Sequence, residues 1–218
     1  MKLKSFIKNF NEKRRIAFLK KETLKHDYHF EDVSIISSDC IGGILYHDLG
    51  AKFLSPTINV SFKGSGFYCF VLNLKHYINS DISIVMNDGS IIGKIEGNSL
   101  LENCPDIYVN FVHYSTIEEA RDSWNSRKAR INYNKIRVIS TERMLTQEKL
   151  NLFNAITYKK VMIYGNVVDN INVPNGKEFV PSKFITKRNY RGKLLVFKGI
   201  GKKRHFDDLK FDFLSFLQ

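Results

Sequence analysis

The sequence predicts an α/β protein with a mainly parallel sheet covered on both faces, and three observations carry that prediction. Short apolar runs suited to buried strands alternate with helical stretches along most of the chain. Its 218 residues suffice for one sizeable core. Hydrophobic residues make up 43% and charged residues 26%, with only 4 Pro, a composition of ordered globular domains rather than of disordered tracts.

Taken in order, residues 1–30 read as a basic N-terminal helix with Leu3, Phe6, Ile7 and Phe10 at helical spacing. That stripe either docks on the core or lies on an anionic membrane surface. Residues 31–218 read as a single α/β domain, since no repeat or boundary interrupts them. Residues 33–37 suit a buried strand that opens into the loop Ser38-Asp39-Cys40-Ile41-Gly42-Gly43. Residues 57–62 form a second strand, entered through Ser55-Pro56. Ser65 caps a helix with Phe67, Phe70, Val71, Leu74, Tyr77 and Ile78 on one face.

Asn87-Asp88-Gly89-Ser90 turns a hairpin between 82–86 and 91–95, because Gly supplies the positive φ the turn needs. A strand follows over 107–114. Ser115 or Thr116, with Glu118 or Glu119 three residues on, makes a capping box for a helix reaching about residue 130. Beyond it come a strand over 135–141, a short helix over 146–154 and a strand over 161–164. The stretch 166–176 is irregular, and 194–197 is the last strand. Asp207 and Asp208 open a final helix that buries Leu209, Phe213, Phe216 and Leu217.

Charge is unevenly placed. The net +12 comes from two basic ends, with nine Lys/Arg against two acids in residues 1–25 and nine against none in 180–206. Such local excess suits a phosphate-bearing donor, an anionic sugar or a membrane surface. Lys187, Arg188, Arg191, Lys202, Lys203 and Arg204 are the cations expected to meet that ligand. No nucleic-acid-binding motif is present, so nucleic acid is not expected as a partner. Cys40, Cys69 and Cys104 form no CxxC pair, so reduced thiols are expected and no metal site. With no apolar h-region and no long apolar run, a cytoplasmic protein is expected, at most peripheral at the inner membrane face.

Between residues 36 and 59 the chain reads Ile-Ser-Ser-Asp-Cys-Ile-Gly-Gly, then Tyr46-His47-Asp48-Leu49-Gly50, Phe53, Ser55-Pro56-Thr57 and Asn59. Further on stand Val112-His113-Tyr114, Trp124, Arg127, Arg130 and Ile131-Asn132-Tyr133. This pattern resembles a bacterial exopolysaccharide (capsular polysaccharide) biosynthesis family, and the resemblance extends from about residue 30 to the end. It implies a three-layer α/β/α sandwich and a cytoplasmic role in building or decorating a polysaccharide. Ser38 and Asp39 depart from the two Asn usual in the family at these positions.

The residues suggest chemistry of their own. Cys40 follows the first strand at the start of a helix, where the dipole favours a thiolate. His113, at a strand end beside a helix start, suits a general base, and His47 lies two helical turns beyond Cys40. Gly42 and Gly43 let backbone amides approach a phosphate or an oxyanion. Ser38, Asp39, Ser55, Thr57 and Asn59 are candidate substrate-binding residues beside them, and Arg127, Arg130 and Tyr133 are candidates to hold phosphate or carboxylate.

A Cys with a nearby His and backbone donors matches covalent acyl transfer, most simply O-acetylation of a polysaccharide or activated sugar precursor. No cofactor is expected to stay bound, and an acyl donor such as acetyl-CoA would pass through. A metal-independent glycosyltransferase is the alternative within the same pathway. A non-catalytic binder of polyanions or membrane lipid is the alternative from another class.

Overall fold

The computed structural model describes residues 2–168, 171–185 and 192–218. A long helix, α1 (Lys2–His26), leads into β1 (Ser34–Ser37) and α2 (Ile41–Leu49). The middle of the chain supplies β2 (Val60–Phe62), α3 (Gly66–Leu72), α4 (Leu74–Asn79), β3 (Ile82–Asn87), β4 (Ser90–Ile95), β5 (Ile107–Phe111) and α5 (Ile117–Lys128). Then come β6 (Ile136–Leu145), α6 (Gln147–Ala155), β7 (Lys159–Val167) and β8 (Phe179–Pro181). A helical turn α7 (Gly192–Leu195), a 3₁₀ turn over His205–Asp208 and α8 (Phe213–Leu217) complete the order.

The α/β class is as expected, but the strands do not share one sheet. They divide into a parallel sheet ordered β1-β6-β7-β8 and an antiparallel sheet ordered β2-β5-β4-β3. The cause is local. Asp88 and Gly89 adopt positive φ (45° and 72°), closing β3 directly on β4, and β5 and β2 then add antiparallel to that hairpin. The hairpin thus starts the second sheet, and β5 and β2 join it through longer connections.

Strand alternation builds the core on both faces of the parallel sheet. Ile36, Val138 and Met162 face the antiparallel sheet together with α3, α4 and α6. Ile35, Ile139, Val161 and Ile163 face α2 and the C-terminal Phe206, Phe213 and Phe216. Burial on both faces explains why these strands read as continuous apolar runs.

Several expected elements are corrected. The helix after Ser65 breaks at Asn73, whose side-chain amide donates to the carbonyls of Glu102 and Asn103 at 3.0 and 2.9 Å. Residues 194–197 begin as the end of a helical turn, not a strand, and the last helix starts at Asp212, which accepts from the N–H groups of Leu214 and Ser215. The edge strand β8, carrying Pro181, was not foreseen.

Docking of α1 also differs from its apolar pattern. Leu3, Phe6 and Phe10 are 72%, 68% and 42% exposed, while Asn11, Arg15 and Leu19 are buried. Arg15 Nε donates to Asp48 at 3.0 Å, and its other nitrogens reach both carboxylate oxygens of Asp207 at 2.6 and 2.9 Å. Arg204 donates two bonds to Asp48, both 2.7 Å. Arg204 is thus a buried partner of Asp48 and not the ligand-facing cation expected from the charge count. Lys202 lies over the Phe18 ring at 3.5 Å and Lys203 is exposed, while Lys187, Arg188 and Arg191 lie outside the described residues. Among the described residues no helix is long and apolar enough to cross a membrane.

Candidate active site

The loop between β1 and α2 is fixed by its own polar side chains. Ser37 Oγ donates to the Asp39 carbonyl at 2.7 Å and accepts the Gly42 N–H at 3.2 Å. Asp39, fully buried, accepts the Ile41 N–H at 2.8 Å through one oxygen and the Thr141 hydroxyl through the other. Ser38 Oγ accepts the Thr141 N–H at 2.9 Å. Asp39 therefore serves the helix start that Cys40, the residue in the N-cap position, does not cap with its own side chain. A Cβ at Gly42 would sit 2.5 Å from Ser37 Oγ, so any side chain here would force the Ser37 hydroxyl out of its bonds.

Cys40 Sγ lies 3.9 Å from His113 Nε2, a long contact even for sulfur. The two come from different sheets: Cys40 follows β1 of the parallel sheet, and His113 follows β5 of the antiparallel one. The connection is the backbone of Asn59, held at φ 61°, whose carbonyl accepts the Val112 N–H at 2.9 Å. Gly43 lets α2 pack against this turn, since a Cβ there would lie 3.1 Å from Ile58 Cγ2.

A cavity of about 270 Å³ opens here, bordered by Cys40, Gly43, His47, Asn59 and His113. Ile44, Phe53 and Ile58 form its apolar wall, and Lys8 and Glu12 of α1 form its rim. His47 is half-exposed, with Nδ1 3.7 Å from the Asp48 carboxylate. Cys40 is partly exposed, whereas Cys69 and Cys104 are buried, and burial pushes the Cys69 thiol up. An accessible thiol, an imidazole at its side and a helix N-terminus behind it can support attack on a carbonyl carbon.

The remaining expected residues separate into supports and a second site. Ser55 and Thr57 are fully buried, 2.8 Å apart through their hydroxyls, and Thr57 Oγ1 accepts the Ser37 N–H at 3.0 Å. They hold the end of β1 rather than presenting hydroxyls to a cavity. Arg127 donates to the Ile58 carbonyl at 3.2 Å and to the Tyr114 hydroxyl at 2.6 Å, and lies over the Phe53 ring. Arg130 reaches the Phe53 carbonyl at 3.4 Å. Both arginines brace the loop that walls the cavity. Tyr133 packs on the core with Lys75 over its ring, away from this cavity.

Ser38 borders a different, polar pocket of about 210 Å³ with Thr141, Glu142, Arg143 and Lys149. Burial pushes the Glu142 carboxyl up, against the opposing pull of Lys149 at 2.6 Å and the Tyr68 hydroxyl at 2.8 Å. Glu142 was not singled out from the sequence, although Ser140-Thr141-Glu142-Arg143 interrupts an apolar strand and marks the place. Lys8 and Glu12 were missed because nothing local ties α1 to residue 40. A larger concavity of about 770 Å³ runs along β8 and is lined by Lys177, Lys183 and Lys210, but holds none of these residues.

A family model described as a domain of unknown function (DUF1919) matches residues 7–218. An uncharacterized protein of Haemophilus influenzae is 25% identical over 211 residues, spanning 96% of this chain and 95% of that protein.

Proposed function

We propose that this chain, which belongs to the DUF1919 family, is a cysteine-dependent acyltransferase acting on a bacterial surface polysaccharide or its precursor. The observation that carries the reading is the approach of Cys40 Sγ to His113 Nε2, 3.9 Å, at the start of α2 in an open cavity. The polysaccharide part rests on the resemblance of residues 36–59 and 112–133 to the exopolysaccharide-biosynthesis pattern.

In the first half-reaction His113 takes the Cys40 proton, and the thiolate attacks the carbonyl carbon of a thioester donor such as acetyl-CoA. The C–S bond to the donor breaks, and the donor leaves as a thiol carrying the proton from His113. In the second, His113 takes the proton of a sugar hydroxyl, whose oxygen attacks the acyl-cysteine. The ester forms and Cys40 regains its proton.

The test compares the purified capsule polysaccharide of intact and gene-deleted cells by proton NMR. Acetyl signals should vanish on deletion, return with the wild-type gene and stay absent with Cys40→Ser. Unchanged acetyl signals would reject the proposal, and a missing sugar residue would point to glycosyl transfer instead.

A further inference from the structure

We propose that the outer face of α1 and the adjoining 196–200 loop form one surface that seats the protein on an anionic lipid bilayer. Leu3, Phe6 and Phe10 recur at helical spacing and are 72%, 68% and 42% exposed. Beside them Val196 and Ile200 are 54% and 69% exposed, and a groove of about 470 Å³ runs between Ile7 and these loop residues. Large apolar side chains gathered on one exposed face mark an interaction site.

The helix and the loop are held as one unit. Asn11 donates to the Gly199 carbonyl and accepts the Gly201 N–H, both at 2.8 Å, and Arg15 donates to the Lys202 carbonyl at 3.2 Å. In the N-terminal half of α1 the docking side chains Asn11 and Arg15 are polar and engaged, while Leu3, Phe6 and Phe10 face outward.

Charge selects the occupant. Lys8, Lys13, Arg14, Lys20, Lys21 and Lys25 of α1 are exposed, whereas its two acids, Glu12 and Glu22, are half-buried. Apolar rings flanked by exposed cations fit an interfacial helix that sinks about 5–10 Å into the headgroup region of an anionic bilayer. Attachment of this kind needs no spanning segment.

The test is flotation of the full chain with vesicles of phosphatidylcholine and phosphatidylglycerol, against phosphatidylcholine alone. The wild type should float with the anionic vesicles only. The double variants Phe6→Glu/Phe10→Glu and Lys13→Glu/Arg14→Glu should each lose more than about tenfold in vesicle affinity. These side chains are exposed, so circular dichroism of both variants should match the wild type. Absence of binding to anionic vesicles, equal binding to neutral ones, or undiminished binding by the Phe variant would overturn the proposal. So would self-association of the wild type that the Phe variant abolishes, since the face would then join two copies. Acyl-cysteine formation without vesicles should be unchanged in both variants, so its failure would count against the Cys40 reading alone.

Discussion

Asp48 and Arg204 form a two-bonded ion pair with both distances 2.7 Å, in a place where the carboxylate is fully buried and the guanidinium nearly so. Arg15 adds a third bond to the same carboxylate, so one acid joins α1, α2 and the 3₁₀ turn near the C-terminus. Removing the acid leaves two buried guanidinium groups without this partner. Asp48→Ala should cost about 3–5 kcal/mol, read from the urea midpoint, and limited proteolysis should then cut at α1 first. A cost within the range of ordinary surface substitutions would show that α1 is not held by this network.

Gly42 and Gly43 make opposite predictions from adjacent positions. Gly42→Ala forces a Cβ to within 2.5 Å of Ser37 Oγ, against a side chain that is itself buried and bonded. About 1–3 kcal/mol of stability should be lost. At Gly43 the nearest atom is Ile58 Cγ2 at 3.1 Å, an overlap that a shift of a few tenths of an ångström would relieve. Gly43→Ala should therefore unfold nearly where the wild type does. Equal losses in thermal unfolding would contradict this account of the loop.

Much of this was legible in the sequence, and the exceptions share a cause. Thr116 and Thr146 cap α5 and α6 through local bonds, to the N–H groups of Glu119 and Lys149, and local signals of that kind are readable. The Asp88-Gly89 turn is equally local. The closeness of Cys40, His47 and His113 followed from placing each at a strand end or on one helix face. Strand direction was partly legible: residues 57–62 and 107–111 alternate polar with apolar side chains, as strands with one solvated face do, but alternation does not say which strands will pair across so long a connection. Arg15 meets Asp207 across 192 positions, and no periodicity encodes such a partner. Ser55 and Thr57 read as site hydroxyls because a buried polar pair and an exposed one look alike in sequence.

Glu142 predicts a pH dependence with a definite sign. Its carboxyl is pushed above the ordinary 4.5 by burial, so the native state holds this proton more tightly than the unfolded chain does. Stability from this group is therefore full below the unfolded value and is lost as pH rises through the folded one. Glu142→Gln, which carries no such charge, should gain on the wild type as pH rises from about 4.5. Urea unfolding of both proteins across the acidic to neutral range would measure it. A difference that is flat or shrinks with pH would mean that Lys149 and Tyr68 outweigh burial.

His113 and His47 border the same cavity, and His113 Nε2 lies 3.9 Å from the Cys40 thiol. With p-nitrophenyl acetate as the acyl donor, His113→Gln should slow turnover by roughly 10²–10⁴-fold, while His47→Gln should leave it within a few-fold of the wild type. The reverse order would make His47 the base.

The central claim is that Cys40 carries the acyl group. Its most direct measurement is mass spectrometry of the protein after brief exposure to acetyl-CoA or p-nitrophenyl acetate, followed by acid quench and peptide mapping. One acetyl group should appear on the peptide containing Cys40. It should be absent in Cys40→Ser, unaffected by Cys69→Ser and released on adding an acceptor glycan. An acetyl group found elsewhere, or found equally in Cys40→Ser, would contradict covalent catalysis through this thiol.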